Sequence, residues 1–237
     1  AAIAYLDSAA TSQKPQVVID RLCTFLSSEN ANVHRGAYGL SATATERYEE
    51  ARTRVARWIG ARNTRGVVFT RGTTEGVNLV AFALERRLQP GDVVLLSILE
   101  HHSNIVPWQL LAERRGVRVE FFGCDEHGVL NLAEYRRKLR ELAPKVVGVT
   151  QISNAFGTVV PLNAIIEEAH RAGALVMVDA AQGVPHTRVD VSQLDPDFLV
   201  FSGHKMYGPT GIGVLYIGDR VVDSLPPFHG GGGMIQT

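Results

Sequence analysis

Apolar residues recur along this chain in two alternating rhythms. Short runs rich in valine, isoleucine, leucine and phenylalanine at 67–70, 93–99, 117–122, 146–151, 175–179, 198–201 and 213–217 read as strands. Between most of them, apolar positions fall three and four residues apart, which predicts amphipathic helices. Asn131 with Glu134 opens one whose inner face is Leu132, Tyr135, Leu139 and Leu142. Another runs over 162–172 with Leu162, Ile165, Ile166 and Ala169 inward, and Gly173 ends it. Upstream, Val18, Leu22, Phe25 and Leu26 predict a helix over 17–26, with Cys23 packed among them. Residues 30–40 are polar with two glycines and read as a loop carrying His34. Thr43 with Glu46 then predicts a capping box, opening a helix whose buried face is Tyr48, Ala51, Val55, Trp58 and Ile59.

Strands alternating with helices imply an α/β fold, a mostly parallel seven-stranded sheet with helices on both faces. The last strands are joined by loops too short for a helix, so one of them is expected to run antiparallel. With 237 residues and 45% hydrophobic content the chain can bury a large core. Lysine plus arginine and aspartate plus glutamate both number 24, so no basic field points to nucleic acid or an anionic membrane. The longest aliphatic stretches are far too short for a bilayer, and the start, AAIAYLD, lacks the marks of a signal peptide. It also lacks an initiator methionine. Two cysteines, Cys23 and Cys124, suit a reducing compartment, and a cytoplasmic location is expected.

In open α/β sheets, ligands bind outside the carboxyl ends of the strands. Five strand ends here carry polar clusters: RGTTEG, EHHSN, ISNAFGT, DAAQG and SGHK. Any one of them can be a turn or a helix cap, with Thr74, Ser103 and Asn154 as candidates. Together they carry the parts of a pyridoxal phosphate site. Gly72, Thr73 and Thr74 opening a helix offer free N–H groups and hydroxyls to a phosphate. Asp179, ending a buried strand, can hold a protonated ring nitrogen, and Lys205 can form a Schiff base with an aldehyde. His102 offers an imidazole to stack on the ring, while His101 reads equally as a packing or capping residue. Gln182 can reach a ring hydroxyl, and Ser202 and His204 flank the lysine where phosphate oxygens can bind. A metal site is the rival reading for the histidines. However, His34, His101, His102, His186 and His204 lie on different segments without an HExxH or CxxC pair, and no metal is expected. The glycine-rich loops lack the strand, helix and downstream acid of a dinucleotide fingerprint.

The motifs YLDSAATSQKP, NVHRGAYGLS, RGTTEGVNLVA, EHHSNIVPWQ, SNAFGT, DAAQ and SGHKMYGPTGIGVLY, in this order, closely resemble the cysteine desulfurases of the class V aminotransferase family. The nearest likeness is to the group that feeds iron–sulfur cluster assembly through the Suf system, together with selenocysteine lyases. The resemblance implies the large domain of a fold type I pyridoxal phosphate enzyme, with Lys205 bound to the cofactor and Asp179 on the pyridine nitrogen. It also implies His102 on the ring, Gln182 on the ring hydroxyl, and Thr73, Thr74, Ser202 and His204 at the phosphate. Asn154 and His34 would lie close to cofactor or substrate, with residues 1–42 contributing an active-site loop. The implied reaction takes L-cysteine, or L-selenocysteine, to alanine, with sulfur passed to a cysteine of the enzyme. A homodimer and a sulfur-acceptor protein are the implied partners.

The chain departs from that family in two functional residues. The family's persulfide cysteine and carboxylate-binding arginine have no counterpart here, and neither Cys23 nor Cys124 matches the cysteine motif. Residues 1–237 therefore read as the cofactor domain of such an enzyme without its C-terminal small domain, inactive alone. Other class V activities (selenocysteine lyase, aminotransferase, epimerase) and a non-catalytic cofactor-binding fragment are the alternatives.

Overall fold

In the computed structural model, residues 3–34 and 36–231 are described. Seven strands form one sheet: β1 (Val67–Thr70), β2 (Val93–Ser97), β3 (Arg118–Phe122), β4 (Val146–Thr150), β5 (Leu175–Asp179), β6 (Phe198–Ser202) and β7 (Gly213–Ile217). Their order is β1-β7-β6-β5-β4-β2-β3. Strands β3, β2, β4, β5 and β6 run parallel, and β7 lies antiparallel to both β6 and β1. The carboxyl ends of β1, β2, β4, β5 and β6 consequently share one edge, as the alternating pattern and short final loops imply.

Strand residues alternate between two apolar layers because successive side chains leave a strand on opposite faces. Leu95, Val147, Val176, Val178, Leu199 and Phe201 enter one layer; Val94, Leu96, Met177, Phe198 and Val200 enter the other. The first layer is closed by α5 (Leu132–Leu142) and α6 (Leu162–Arg171), through Tyr135, Leu139, Ile165 and Ile166. The second is closed by α3 (Thr73–Leu84) and α4 (Val106–Arg115), through Val77, Val80, Leu84, Trp108 and Leu111. Each large aliphatic side chain so buried contributes roughly 1.5–3 kcal/mol. The Asn131 carboxamide accepts from the Glu134 N–H as its spacing predicts, and Gly173 follows α6 with φ +79°.

The amino-terminal third departs from its sequence pattern. Helix α1 (Gln16–Thr24) buries none of its residues, and Val17, Ile19 and Leu22 are exposed along with Leu26 just beyond it. Cys23 is exposed too, so it does not pack as expected. Helix α2 (Gly39–Trp58) begins ahead of the Thr43–Glu46 box, which is therefore interior to the helix. Ser41 does the closing: its hydroxyl accepts from the Gly36 N–H at 2.9 Å and donates to the Asn32 carbonyl at 2.7 Å. The buried stripe of α2 is narrower than predicted. Ala44 and Ala56 are inside, with Ile59 just past the end, whereas Ala51 is exposed and Trp58 is 62% exposed. Two short helices, α7 (Gly183–His186) and α8 (Val191–Leu194), carry the chain from β5 to β6. No helix among the described residues is long and apolar enough to cross a membrane.

Candidate functional site

A cavity of about 490 Å³ lies at the shared strand edge. It is built from five strand ends and a stretch of the amino terminus. At the end of β1 the chain turns through Gly72, whose φ of +154° suits glycine, and α3 starts at once. The Thr73 N–H donates to the Ser202 hydroxyl at 2.8 Å, and the two hydroxyl oxygens are also 2.8 Å apart. That pair locks the start of α3 to the end of β6. A Cβ on Gly213 would lie 2.5 Å from the Gly72 Cα, so the two backbones can approach only because residue 213 has no side chain. Thr73 and Thr74 line the cavity, which places the positive end of a twelve-residue helix at its wall.

Asp179, the last residue of β5, is 3% exposed and lines the same cavity. One carboxylate oxygen accepts from the Ala181 N–H at 2.9 Å, and among the described residues the other has no hydrogen-bond partner. Burial raises its proton affinity, while the Ala181 N–H and the charges of Lys205 and His101 pull it back down. Lys205 sits on a single 3₁₀ turn, Gly203–Lys205, directly after β6. It is half-buried, lines the cavity and, among the described residues, has no ion-pair partner. His204 beside it also lines the cavity. Burial first, and then the charges of Lys205 and Lys14, hold its pKa below the ordinary imidazole value, so its ring is neutral near pH 7.

The amino-terminal segment supplies a further wall of the cavity. The His204 carbonyl accepts from the Ser12 N–H at 2.9 Å and from the Thr11 and Ser12 hydroxyls, each at 3.1 Å. Ser12 Oγ in turn accepts from the Tyr207 N–H at 2.7 Å, which ties the lysine turn to the start of the chain. Gln182 donates from Nε2 to the Ala9 carbonyl at 2.7 Å. Through these bonds Asp7, Ala9 and Ala10 come to line the cavity.

Of the residues singled out from sequence, Thr73, Thr74, Asn154, Asp179, Gln182, Ser202, His204 and Lys205 all line this one cavity. His102 does not. It begins the 3₁₀ turn His102–Asn104, while the residue before it, His101, lines the cavity and acts on the Asp179 carboxylate. His101 also caps that turn, its Nδ1 accepting from the Ser103 N–H at 3.1 Å. His101 thus both caps the turn and forms cavity wall, while His102 is not among the lining residues. His34 lies elsewhere: its Nε2 is 3.1 Å from Glu49 Oε1, its ring meets Tyr48 edge-on, and its side chain is half-exposed. Neither Cys23 nor Cys124 lines the cavity. No group of three or more metal-ligating side chains occurs among the described residues.

Residues 4–237 match the family model described as Aminotransferase class-V. The chain belongs to the class-V aminotransferase family. Within it, the probable cysteine desulfurase 1 of Mycobacterium leprae (strain TN) is 52% identical over 232 residues, covering 98% of this chain and 38% of that protein. The cysteine desulfurase of Dickeya dadantii (strain 3937) is 51% identical over 235 residues, 99% of this chain and 57% of that protein. The apo structure of the cysteine desulfurase from Thermococcus onnurineus NA1 superposes with a TM-score of 0.93 at 42% identity, over 98% of this chain and 58% of that one. This class-V chain therefore spans well under two thirds of the length of these relatives. The cavity suits the phosphorylated pyridine aldehyde expected of a class-V enzyme. Among the described residues it offers a helix amino terminus with hydroxyls for an anion, a buried carboxylate with one oxygen unpartnered, and a lysine amine without a counter-ion.

Proposed function

We propose that this chain is the pyridoxal phosphate-binding part of a cysteine desulfurase, which converts L-cysteine to L-alanine and passes the sulfur to a thiol. The observation that carries the reading is the convergence of Lys205, Asp179 and the Thr73–Thr74 turn on one cavity, in a chain about half identical to proteins named cysteine desulfurase. When bound, the cofactor supplies an electron sink for the carbon that loses its proton.

The residues of the chain divide the remaining work. Lys205 would hold the cofactor through its aldehyde, and its amine is the group placed to move the proton at the substrate's α-carbon. The Asp179 carboxylate holds the proton on the ring nitrogen, in a setting where burial strengthens that hydrogen bond. Thr73, Thr74, Ser202 and the neutral His204 hold the phosphate at the positive end of α3. His101 stacks on the ring in the place expected of His102, Gln182 reaches the ring hydroxyl, and Asn154 lies toward the substrate side.

In this reading the sulfur-accepting thiol belongs to a segment or protein outside the cavity wall, since Cys23 and Cys124 are both remote from it. The 237-residue chain is then inactive alone. The whole enzyme acts as a cytoplasmic homodimer that hands sulfur to an acceptor protein for iron–sulfur cluster assembly. The test is product analysis after feeding L-cysteine and a reducing thiol to the full-length holoprotein. Equimolar alanine and sulfide are expected. Pyruvate with ammonia, or a keto acid with an aminated cofactor, would replace this reading by a different class-V chemistry, and a strong preference for L-selenocysteine would make the enzyme a selenocysteine lyase.

A further inference from the structure

Between the end of β2 and the cavity lies a buried acid that none of the functions above uses. Glu100 is 7% exposed, yet both of its carboxylate oxygens are fully engaged. One oxygen accepts from the Ser97 hydroxyl and from the backbone N–H of Thr150, the latter at 2.7 Å. The other accepts from Asn104 Nδ2 at 2.7 Å. Asn104 is itself wholly buried, and its carboxamide oxygen accepts from the Trp108 indole N–H at 3.1 Å. Gly148 leaves room for this chain of bonds, because a Cβ there would run into the Leu96 side chain and lie 3.4 Å from Asn104 Nδ2. Glu100 therefore pins together three elements: β2 through Ser97, β4 through Thr150, and the turn into α4 through Asn104.

Two of those anchor points adjoin cavity walls. His101 is the next residue in the chain, so fixing the Glu100 side chain fixes the backbone that carries the His101 ring. Thr150 lines the cavity and pairs in register with Asp179 across the β4–β5 ladder. A buried carboxylate that served only to fill space would be replaceable by an apolar side chain at little cost. Here its acceptor geometry is matched to donors on both sides of the cofactor site. Resting on the cofactor reading above, we infer that Glu100 is a positioning residue: its clamp sets the spacing between His101 and Asp179, and so the affinity and orientation with which the cofactor ring is held between them. Glu100 itself touches no reacting atom. Burial, with the nearby Asp179 charge adding, raises its pKa to about 7, while the bonds from Ser97, Asn104 and Thr150 favour the ionised form.

The test compares the full-length protein with Glu100→Gln and with the double variant Glu100→Gln/Asn104→Asp, titrating each with pyridoxal phosphate. Cofactor affinity and the circular dichroism induced in the bound cofactor's visible band are read together with the melting temperature of the apoprotein. In E100Q an amide donor faces the Asn104 amide donor. Its cofactor Kd is expected to rise about 10-fold or more, as for other outer supports of a site, with a weakened induced band. In the double variant the carboxylate introduced at position 104 accepts from the amide introduced at position 100 and from the Trp108 indole N–H. Every bond is restored, and affinity and band return to within about 3-fold of the starting values. Unchanged affinity and band in E100Q would overturn the inference. So would losses that the double variant recovers in melting temperature but not in cofactor binding. Should E100Q fail to fold, Trp108→Phe removes only the outermost bond and is expected to weaken cofactor binding by a smaller factor of about 2–5; no change would again overturn it. Failure of the unsubstituted protein to bind the cofactor would instead bring down the cofactor reading.

Discussion

The Ser202 hydroxyl stands 2.8 Å from both the backbone nitrogen and the hydroxyl oxygen of Thr73, a residue 129 positions earlier in the chain. It joins the end of β6, three residues before Lys205, to the first turn of α3. Ser202→Ala leaves the Thr73 N–H without its buried acceptor, which costs about 1–3 kcal/mol of stability. It also lets the helix start move relative to the lysine. Chemical denaturation of the apoprotein checks the first effect, and a weaker Kd for inorganic phosphate, with the Lys205 amine still present, checks the second.

Gly213→Ala tests the close approach behind that contact. The added Cβ would meet the Gly72 Cα at 2.5 Å and the Phe201 carbonyl oxygen at 2.8 Å, and backbone cannot step aside as a flexible side chain can. A loss of about 1–3 kcal/mol is expected. Gly39→Ala, where nothing lies within 4 Å, serves as the control and should be neutral or slightly stabilising. Paired denaturation midpoints read the difference.

Stability should fall as pH rises from about 4.5 to about 7, and Glu100 should account for much of that slope. A carboxyl whose folded pKa is raised stabilises the fold where it is protonated and costs stability where it is ionised. For Glu100, raised from 4.5 to about 7, the loss accumulates between those two values. It amounts to something on the order of 3 kcal/mol. Asp179, also raised by burial, adds a contribution of the same sign. Surface acids such as Glu29 and Glu50 are held below their ordinary values by arginines, so their contribution is lost only as pH falls below 4.5. Denaturation of the apoprotein at a series of pH values should therefore show a slope that flattens in Glu100→Gln. An identical slope in both proteins would show that Glu100 does not titrate in this window.

Asp179→Asn keeps the shape of the cavity floor but removes the charge that holds a proton on a ring nitrogen. Cofactor binding should weaken, and turnover of L-cysteine by the full-length enzyme should fall by about 100-fold or more. The expected signature is a larger loss in kcat than in KM, read by steady-state kinetics at saturating cofactor.

The sheet was legible from sequence because its strands are short runs of apolar residues punctuated by glycine and polar clusters, and the seven expected strands appear within two residues of their predicted limits. The cavity was legible because an α/β sheet gathers its carboxyl strand ends on one edge, where Asp179, Ser202 and Lys205 fall at once. Three features were not. Two adjacent histidines differ in sequence by one position but, at the mouth of a 3₁₀ turn, only His101 reaches the cavity. The particular bonds that hold Asp7 and Ala9 against the cavity, such as Gln182 to Ala9, span 173 residues and leave no local pattern. Glu100 looks like any helix-flanking acid until its donors from Thr150 and Asn104 are in place. The apolar spacing of α1 misled for the opposite reason: a helical stripe says that something can cover it, and no part of the described core does.

The central claim is that the Lys205 amine carries the cofactor. Borohydride treatment of the pyridoxal phosphate-loaded protein, followed by peptide mass mapping, tests it directly, because reduction fixes the cofactor to whichever of the four lysines holds it. The account predicts the pyridoxyl mass on the peptide containing Lys205, and its absence from Lys205→Ala. Labelling confined to Lys14, Lys138 or Lys145, or undiminished labelling in that variant, would contradict it.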